Sequence, residues 1–460
     1  MNDALLATLP VLVPLATALA TVFSARRPRL QVALSLVGGV GLCVVAGVLV
    51  AAVDAGRVPG TVFGSWPAPF GIEVRVDRLS GALVAISALL GLATLLALTS
   101  ERERRAPMLL PLLHGLLAGV CGAFITADLF NLYVWFEVLL VTALGLFVLG
   151  GRRAHLDAAL NYLVLNLVGT VLLILGVGLV FGVTGHLNFD ALREALPQLP
   201  EGVRQSLLPL LVVAFLIKAG AFPVFAWLPA SYPTLPGPVL ALFAGLLTKV
   251  GVYALLRTTG DLFAPVSAGL LEGLGWVAVA TMLAGVLGAA YHYDTRRILA
   301  FHIISQVGYI LLAIALGGTL GVAAALVCTL HHMAVKANLL LLVGIARLRT
   351  GSFDLRRMGG LYAERPWLAV LFLVPALSLV GIPPLSGFWA KLLVLRGTFS
   401  AGQYAWAAVA LVVSVLTLYS MLKVWMEAFW KAHPAPDERP EPGDLRGAQL
   451  ASLLLAAVTL

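Results

Sequence analysis

The stretch Leu216-Ile-Lys-Ala-Gly-Ala-Phe-Pro223 decides the fold, because it places a cation and a helix breaker inside an apolar run. The run covers residues 205–230, and roughly 20 residues are enough to cross a bilayer. Proline removes a backbone donor and blocks the preceding helical turn. In lipid, such a break is tolerated only where protein or water satisfies the freed backbone groups. The stretch therefore predicts a membrane helix that is broken at Pro223, with Lys218 just before the break.

A second apolar run, over residues 366–399, has the same organisation. Its centre reads Val380-Gly-Ile-Pro-Pro-Leu-Ser-Gly387, so Pro383 and Pro384 mark the break and Lys391 follows it. Paired broken helices in two halves of a chain are typical of inverted-repeat transporters, whose ion path lies at the breaks. The alternative is that prolines are simply common in membrane helices. We expect Lys391 to exchange protons with one aqueous side.

The composition of the whole chain predicts an all-α, polytopic membrane protein. Of its 460 residues, 60% are hydrophobic and 11% charged, and the mean hydropathy is +1.00, whereas soluble domains are about half apolar and a quarter charged. The apolar runs predict about fourteen membrane spans and no soluble domain of useful size. The spans lie near residues 4–23, 30–53, 78–100, 107–126, 129–149, 156–183, 205–230, 237–258, 266–291, 298–316, 320–346, 366–399, 404–430 and from 446 onward.

The charges of the loops predict the orientation of these spans. Basic loops fall on one side of the predicted membrane, which is therefore the cytoplasmic side and places the N-terminus outside. The opposite loops, 54–77, 184–204 and 259–265, mix acidic residues with a few arginines. The net charge of +8 thus reflects membrane orientation, and no nucleic-acid partner is expected. The basic loops are 26–29, 102–105, 152–153, 296–297, 347–365 and 431–446.

The interior of the spans carries lysine, whereas the basic loops carry mostly arginine. Lys218, Lys249, Lys336 and Lys391 all lie within long apolar stretches. Arginine stays charged at any accessible pH, but a buried lysine can give up its proton. This separation of the two cations predicts a protein that handles protons inside the bilayer.

Glu137 is the only carboxylate well inside its span. We expect it to pair with Lys218, because either charge alone costs about 2.5–3.5 kcal/mol or more at the bilayer centre. The pair either takes part in proton transfer or is a static contact that fixes helix packing.

Lys249 has no carboxylate in its own span. A buried lysine that gives up its proton is suited to a proton relay. The alternative is that its ammonium group extends to an interface.

His332 and Lys336 are four residues apart on one predicted helix and therefore share a face. Histidine titrates near neutrality and passes protons in either direction, so the pair favours a relay over a satisfied core histidine. No His-x3-His pair and no nearby acid accompanies it, so we expect no zinc or other metal site.

A polar stripe lies on the span near 298–316. It offers either a water-filled path between relay groups or hydrogen bonds to a neighbouring helix. Its residues are His302, Ser305, Gln306 and Tyr309.

Other features are assigned structural roles. Lys423 and Glu427 are four residues apart near the end of their span, and we expect a salt bridge between them. The cysteines are far apart in sequence and lie in apolar runs, so they are expected to be small buried residues. No phosphate loop, CxxC pair, Ser/His/Asp arrangement, haem ligand set or iron–sulfur ligand set appears. We therefore expect no cofactor and no enzymatic activity of the chain itself.

Several segments resemble the proton-translocating, antiporter-like subunits shared by respiratory complex I and Mrp-type Na+/H+ antiporters. They are Phe136-Glu-Val138, the stretch through Lys218 that continues to Pro229, and Leu247-Thr-Lys-Val-Gly-Val-Tyr253. Within that superfamily, the segments Trp227-Leu-Pro-Ala-Ser-Tyr-Pro-Thr-Leu-Pro-Gly-Pro238 and Ile298-Leu-Ala-Phe-His-Ile-Ile-Ser-Gln-Val-Gly-Tyr309 are most similar to the D subunits of Mrp antiporters. The resemblance covers essentially the whole chain.

The resemblance implies a subunit of a multisubunit Na+/H+ antiporter in the bacterial cytoplasmic membrane, working with partner membrane subunits. The proton path it implies runs through Glu137 and Lys218, Lys249, His332 and Lys336, and ends at Lys391. We expect this subunit to carry the proton limb, and a partner to shape the sodium limb.

The resemblance also implies two inverted five-helix repeats, each with one broken helix. The corresponding segments are N-terminal helices over 1–106, half-channels over 107–258 and 259–430, and a loop with the start of a final helix over 431–460. Two alternatives stay open. One is a proton-pumping subunit of complex I or of a membrane-bound hydrogenase, and the other is a scaffold subunit whose buried charges are only structural.

Overall fold

The computed structural model describes residues 2–66, 70–100, 106–440 and 443–459, and its architecture is helical. Among these residues, eleven helices are long and apolar enough to cross a membrane. Two shorter apolar helices, Leu109–Ile125 and Pro366–Val380, accompany them. Every predicted span contains at least one α-helix, which confirms the prediction of a polytopic all-α membrane protein. The basic loop 102–105 lies outside the described residues.

Helices follow one another along the chain, and a hairpin of two short strands lies between the second and the third of them. The helices are α1 Asp3–Phe23, α2 Pro28–Asp54, α3 Arg78–Leu98, α4 Leu109–Ile125, α5 Leu129–Val148, α6 Arg153–Thr184, α7 Phe189–Ala195, α8 Glu201–Ala219, α9 Trp227–Ser231, α10 Gly237–Arg257, α11 Ala268–Tyr291, α12 Thr295–Leu316, α13 Gly318–Thr350, α14 Leu361–Glu364, α15 Pro366–Val380, α16 Ser386–Ser400, α17 Tyr404–Trp425 and α18 Arg446–Thr459, and the strands are β1 Gly60–Val62 and β2 Glu73–Arg75.

The described residues form two compact units. The first is drawn from Met1–Leu92, Arg104–Ala219 and Leu246–Leu270, and the second from Ala93–Glu103, Gly220–Gly245 and Leu271–Leu460. The inverted repeats predicted over 107–258 and 259–430 are a symmetry relation between two sets of helices. A division of the chain into compact units does not test such a relation. Those repeats therefore stay a prediction.

In the first unit, helices pack mainly on helices that are close in sequence, with α1 on α4 as the main exception. α1 packs on α2 and α4, α4 on α5, α5 on α6, and α6 on α8. Strands β1 and β2 pair antiparallel, with Gly60 opposite Arg75. The three loops predicted to share the outer side lie together, since Arg75 contacts Asp190 at 2.7 Å and Arg193 contacts Asp261 at 2.6 Å.

In the second unit, α13 is the central helix. It packs on α12, α15, α16 and α18. Three loops predicted to be cytoplasmic lie together in this unit. Thr295 N donates to Phe353 O at 3.0 Å, and Lys431 Nζ donates to Leu355 O at 3.1 Å. Both groupings agree with the predicted alternation of sides, whereas the absolute orientation stays a prediction.

Short polar side chains begin several helices. A side-chain oxygen at the N-cap accepts from the free backbone N–H groups of the first turn. Asp294, for example, accepts from the N–H of Arg296 at 2.9 Å and so starts α12. The other side chains with this role are Asn2 on α1, Asp128 on α5 and Asn188 on α7.

Glycines let α11 and α12 approach backbone to backbone. A Cβ at Gly308 would lie 2.7 Å from Met282 N and 2.8 Å from Ala278 O. A Cβ at Gly285 would lie 2.7 Å from the Cα atom of Ser305. No side chain fits at these positions without moving one helix.

We expect Gly308→Ala to lower the thermal unfolding midpoint in detergent by a few degrees, because overpacking costs about 1–3 kcal/mol. Gly178→Ala is the matched control, since a Cβ at Gly178 on α6 would meet nothing within 4 Å. If Gly308→Ala and Gly178→Ala have the same thermal unfolding midpoint, the close packing of α11 on α12 is contradicted.

The expected salt bridge between Lys423 and Glu427 is wrong. Lys423 Nζ donates to the carbonyl oxygens of Ala290 and His292, both at 2.7 Å, and so caps the end of α11. Glu427 pairs with Lys431 instead. Helix ends leave carbonyl groups without an intrahelical partner, and a π turn over Met426–Trp430 changes the spacing on which the prediction relied.

Candidate functional site

Both predicted helix breaks lie between consecutive helices. α8 ends at Ala219 and α9 begins at Trp227, with Pro223 between them. α15 ends at Val380 and α16 begins at Ser386, with Pro383 and Pro384 between them. Each break opens on a glycine with positive φ, Gly220 at 72° and Gly381 at 99°, a conformation that favours glycine at a helix C-terminus.

Lys218 is buried one residue before the end of α8 and is held by neutral acceptors. Its Nζ donates to Thr170 Oγ1 at 2.7 Å and to Asn166 O at 3.0 Å, both on α6. The ring of Phe136 on α5 lies 5.4 Å away, within the range of a cation–π contact. The ammonium group thus has two oxygen partners and one aromatic face.

The predicted ion pair between Glu137 and Lys218 is wrong for this conformation. In the part of the chain that the structure describes, Lys218 makes no ion pair with Glu137, and Glu137 Oε1 is buried without a hydrogen-bond partner. Consecutive helical residues point about 100° apart, so Phe136 faces Lys218 and Glu137 does not.

Lys249 is fully buried on α10, at 0% exposure. The helix approaches the end of α8 closely because Gly251 follows two residues later. A Cβ at Gly251 would lie 2.7 Å from Ala219 N and 3.0 Å from Phe215 O. The structure therefore brings the helices of Lys218 and Lys249 into backbone contact within the first unit.

Lys391 occupies a similar cage in the second unit. Its Nζ donates to Val380 O at 2.8 Å and to Ser414 Oγ at 3.0 Å. The ring of Tyr309 lies 4.7 Å away. A Cβ at Gly381 would lie 2.9 Å from the Lys391 Cδ atom, so the glycine gives the lysine stem room to reach the break.

The cages of Lys218 and Lys391 share one plan. Each combines a backbone carbonyl, a hydroxyl and an aromatic ring. Neither lysine has a carboxylate as a direct ion-pair partner among the described residues. When the lysine is charged, its ammonium group donates hydrogen bonds to these oxygens. When it gives up its proton, no charged partner is left behind.

α13 carries His332 and Lys336 one turn apart, both buried, at 1% and 0% exposure. The neighbouring His331 lies at the second break, where its Nδ1 contacts Ser386 Oγ at 3.0 Å. Sequence reasoning selected His332 and passed over His331, although the two are adjacent in sequence.

The polar stripe of α12 divides into two kinds of residue. His302 Nε2 contacts Ser420 Oγ at 2.9 Å, and the Tyr309 hydroxyl contacts Ser414 Oγ at 2.8 Å, so both bond to α17. Ser305 Oγ and Gln306 Nε2 are buried and have no hydrogen-bond partner among the described residues. Helix-to-helix bonding thus accounts for two of the four residues.

The buried side chains of the site are groups that can bind and release protons. Over the described ranges, no group of three or more His, Cys, Asp or Glu side chains is arranged to hold a metal ion. The buried groups are lysines and histidines, which can take up and release protons, and Lys218 and Lys391 are held by neutral oxygen partners. Lys218 and Lys249 belong to the first unit, and Lys336, His332 and Lys391 to the second.

Sequence reasoning missed the hydroxyls that hold the two caged lysines. Thr170 and Ser414 are ordinary residues of apolar helices, where such side chains usually bond their own helix. The one signal in the sequence that could have identified Thr170 and Ser414 was the presence of a hydroxyl side chain in an otherwise apolar helix.

The comparisons with known proteins agree on one group. Residues 126–417 match the family described as NADH:quinone oxidoreductase/Mrp antiporter, TM. A protein of Alkalihalophilus pseudofirmus, named as the D subunit of an Na+/H+ antiporter, is 40% identical, over 95% of this chain and 89% of its own length. A protein of Desulforudis audaxviator, named as the N subunit of an NADH-quinone oxidoreductase, is 35% identical, over 97% of this chain and 93% of its own length.

A solved structure gives the same answer for the fold. A chain of the Mrp complex from a Dietzia species matches 99% of this chain and 93% of its own length, with a TM-score of 0.91 and 34% sequence identity.

Proposed function

Since the chain belongs to the NADH:quinone oxidoreductase/Mrp antiporter membrane family, we propose that it is the proton-conducting membrane subunit of a multisubunit Na+/H+ antiporter. The observation that carries this proposal is the set of buried lysines. Lys218, Lys249, Lys336 and Lys391 lie in apolar helices with exposures of 6%, 0%, 0% and 7%. Charges inside a membrane are expensive and commonly mark ion pathways.

Protons enter near Glu137 and Lys218, pass Lys249, then His332 and Lys336, and leave by Lys391, or move in reverse. Each transfer changes the charge beside the next group and so alters its affinity for a proton. The chain acts as a transporter subunit, and the ion gradients across the membrane drive the movement.

Partner membrane subunits complete the assembly. Phe222 and Ile382, which lie in the two breaks, are 42% and 38% exposed on this chain. Their backbone N–H groups are bonded within the chain, to Thr281 Oγ1 at 3.0 Å and to Leu377 O at 3.1 Å, so the surface that a neighbouring subunit covers here consists of apolar side chains. A partner also shapes the sodium path, because Na+ prefers several oxygen ligands and this interior offers lysines.

The membrane is the bacterial cytoplasmic membrane, with the N-terminus outside. The excess of arginine on one set of loops supports this orientation. The similar proteins of Alkalihalophilus pseudofirmus and Desulforudis audaxviator are bacterial, which supports the location.

The test is Na+-driven proton movement in proteoliposomes that contain the purified whole complex, the complex without this subunit, or this subunit alone. We expect exchange only with the whole complex. Full exchange by the complex that lacks this subunit would overturn the proposal.

A respiratory function is the second candidate, because the 35% identity to the N subunit of an NADH-quinone oxidoreductase is nearly as high. The same proteoliposomes separate the two functions. Proton movement that requires an electron donor and ignores Na+ would establish the respiratory function instead.

A smaller effect is expected at the Lys218 cage. Thr170→Val removes the hydroxyl acceptor but keeps the side-chain shape, and hydrogen bonds to charged groups contribute about 1.5–3 kcal/mol. We therefore expect about tenfold slower Na+/H+ exchange in proteoliposomes, with recovery in Thr170→Ser. Thr142→Val is the control, because Thr142 Oγ1 donates to Val138 O on its own helix. Equal exchange rates in Thr170→Val and Thr142→Val would show that the Thr170 hydroxyl does not contribute to proton transfer.

A further inference from the structure

One face of α10 links the buried Lys249 to a charged cluster at the end of the helix. Lys249, Tyr253 and Arg257 are spaced four residues apart and therefore lie on one side. The Tyr253 hydroxyl donates to Phe124 O at 2.8 Å and accepts from Arg257 Nε at 3.1 Å. The guanidinium group is thus tied to the same face that carries Lys249.

Arg257 is the inner member of a cluster that joins several outer segments of the first unit. It forms an ion pair with Asp77, just before α3, and its Nη1 lies 3.6 Å from Asp261 Oδ2. Arg193 on α7 binds Asp261 through two hydrogen bonds of 2.7 and 2.6 Å. The loops before α3, around α7 and after α10 are therefore held to the end of α10 by charge.

Direct contact distinguishes the Arg257–Asp77 pair, because Arg257 donates a hydrogen bond to Asp77 whereas Asp261 lies farther away. The Arg257 side chain is 13% exposed and that of Asp77 is 37% exposed. Burial raises the pKa of Asp77, but the Arg257 charge and hydrogen bonds from Ser80 and Arg257 outweigh this and leave it below the ordinary value. Asp77 is consequently ionised at neutral pH. Partly buried charges are screened less by salt than exposed ones.

We propose that Asp77 and Arg257 are positioning residues that set the pH at which Lys249 exchanges its proton. The inference rests on the proposed proton path through Lys249. Two helical turns, about 11–12 Å, separate Arg257 from Lys249 along α10. Over that distance in a poorly screened interior, a permanent positive charge disfavours the protonated lysine, and Asp77 offsets part of this effect.

Among the described residues, the other charged or titratable groups around this face include Lys218 on α8, Glu137 on α5 beside the Lys218 cage, Tyr253 on α10 and Asp261 after α10. Asp190 and Arg193 on α7 and Arg75 on β2 extend the charged cluster. Of these, the negative charge of Asp261 favours the protonated form of Lys249, as that of Asp77 does. A protonated Lys218 disfavours it, as Arg257 does. The pair Asp77 and Arg257 is the direct test because each member can be neutralised separately.

The experiment measures the pH profile of Na+/H+ exchange in proteoliposomes of the whole complex. Arg257→Gln removes a positive charge, so the midpoint of the profile is expected to move to higher pH. Asp77→Asn removes a negative charge, so the midpoint is expected to move to lower pH. Shifts of about 0.5–1 pH unit are expected, smaller for the more exposed Asp77, and the double variant returns toward the original midpoint.

Opposite shifts separate this role from a merely structural one. Loss of an ion pair that only holds the fold would lower the rate in both variants and leave both midpoints in place, and that result would overturn the inference. Arg257→Lys keeps the charge, so its midpoint is expected to stay near the original. Asp3→Asn and Arg57→Gln are matched controls, because that ion pair is about half exposed and lies away from α10 in sequence.

The outcomes also separate the inference from the proposed function. If Lys249→Met abolishes exchange while Asp77→Asn and Arg257→Gln leave the midpoint unchanged, only the inference fails. If Lys249→Met exchanges normally, the path through Lys249 fails as well. Assembly of the complex is checked by size-exclusion chromatography for every variant.

Discussion

Lys249→Met is expected to reduce Na+/H+ exchange by about 100-fold or more, which is the contribution that a positioned proton-transfer group typically makes. Lys249 is fully buried on α10, and methionine keeps most of its unbranched apolar stem while deleting the ammonium group. The fold should therefore survive the change. The rate is measured in proteoliposomes of the whole complex after a Na+ jump.

Two further variants sharpen this result. Lys249→Arg keeps the positive charge but cannot release its proton, so it is expected to be as slow as Lys249→Met. Lys431→Met is the control, because Lys431 lies beyond α17 and pairs with Glu427. Normal exchange by Lys249→Arg would show that the site needs a charge rather than a titratable group.

Lys391→Met is expected to be similarly inactive, about 100-fold slower than the original protein. Lys391 is the last buried lysine of the proposed path, and its Nζ is held by Val380 O and Ser414 Oγ. Ser414→Ala keeps the lysine but removes one acceptor and is expected to be about tenfold slower. Exchange rates and assembly are measured as for Lys249.

The graded order of these variants is the informative result. If Lys391 served only to cap the backbone at the break, Lys391→Met would lower the thermal unfolding midpoint and the amount of assembled complex. Normal assembly with lost exchange supports a role in proton transfer. Normal exchange by Lys391→Met, whether or not the amount of assembled complex falls, would show that Lys391 is not part of the path.

The helices were predictable because the bilayer fixes the length of apolar runs and proline interrupts them. The breaks at Pro223 and Pro383 follow directly from this rule. The hairpin of β1 and β2 was not predictable, because loop contacts hold it. Asn188, more than a hundred residues later, donates to Glu73 at 2.7 Å.

The burial of the four lysines was predictable, but their partners were not. The sequence offered Glu137 as the only carboxylate near Lys218, while the rotation of α5 presents Phe136 instead. Thr170 comes from α6, and no sequence pattern states which face of α6 turns toward α8. The pairing of Lys423 failed for the same reason, since the end of α11 provides better acceptors.

The neutral cages around Lys218 and Lys391 have a consequence for reversibility. A carboxylate beside each lysine would stabilise the charged state by direct Coulomb attraction and leave a buried anion once the proton departs. A carbonyl and a hydroxyl leave no such anion. The protonated and deprotonated states of each lysine are therefore close in free energy. The gradients across the membrane, rather than the site, then decide in which direction protons move.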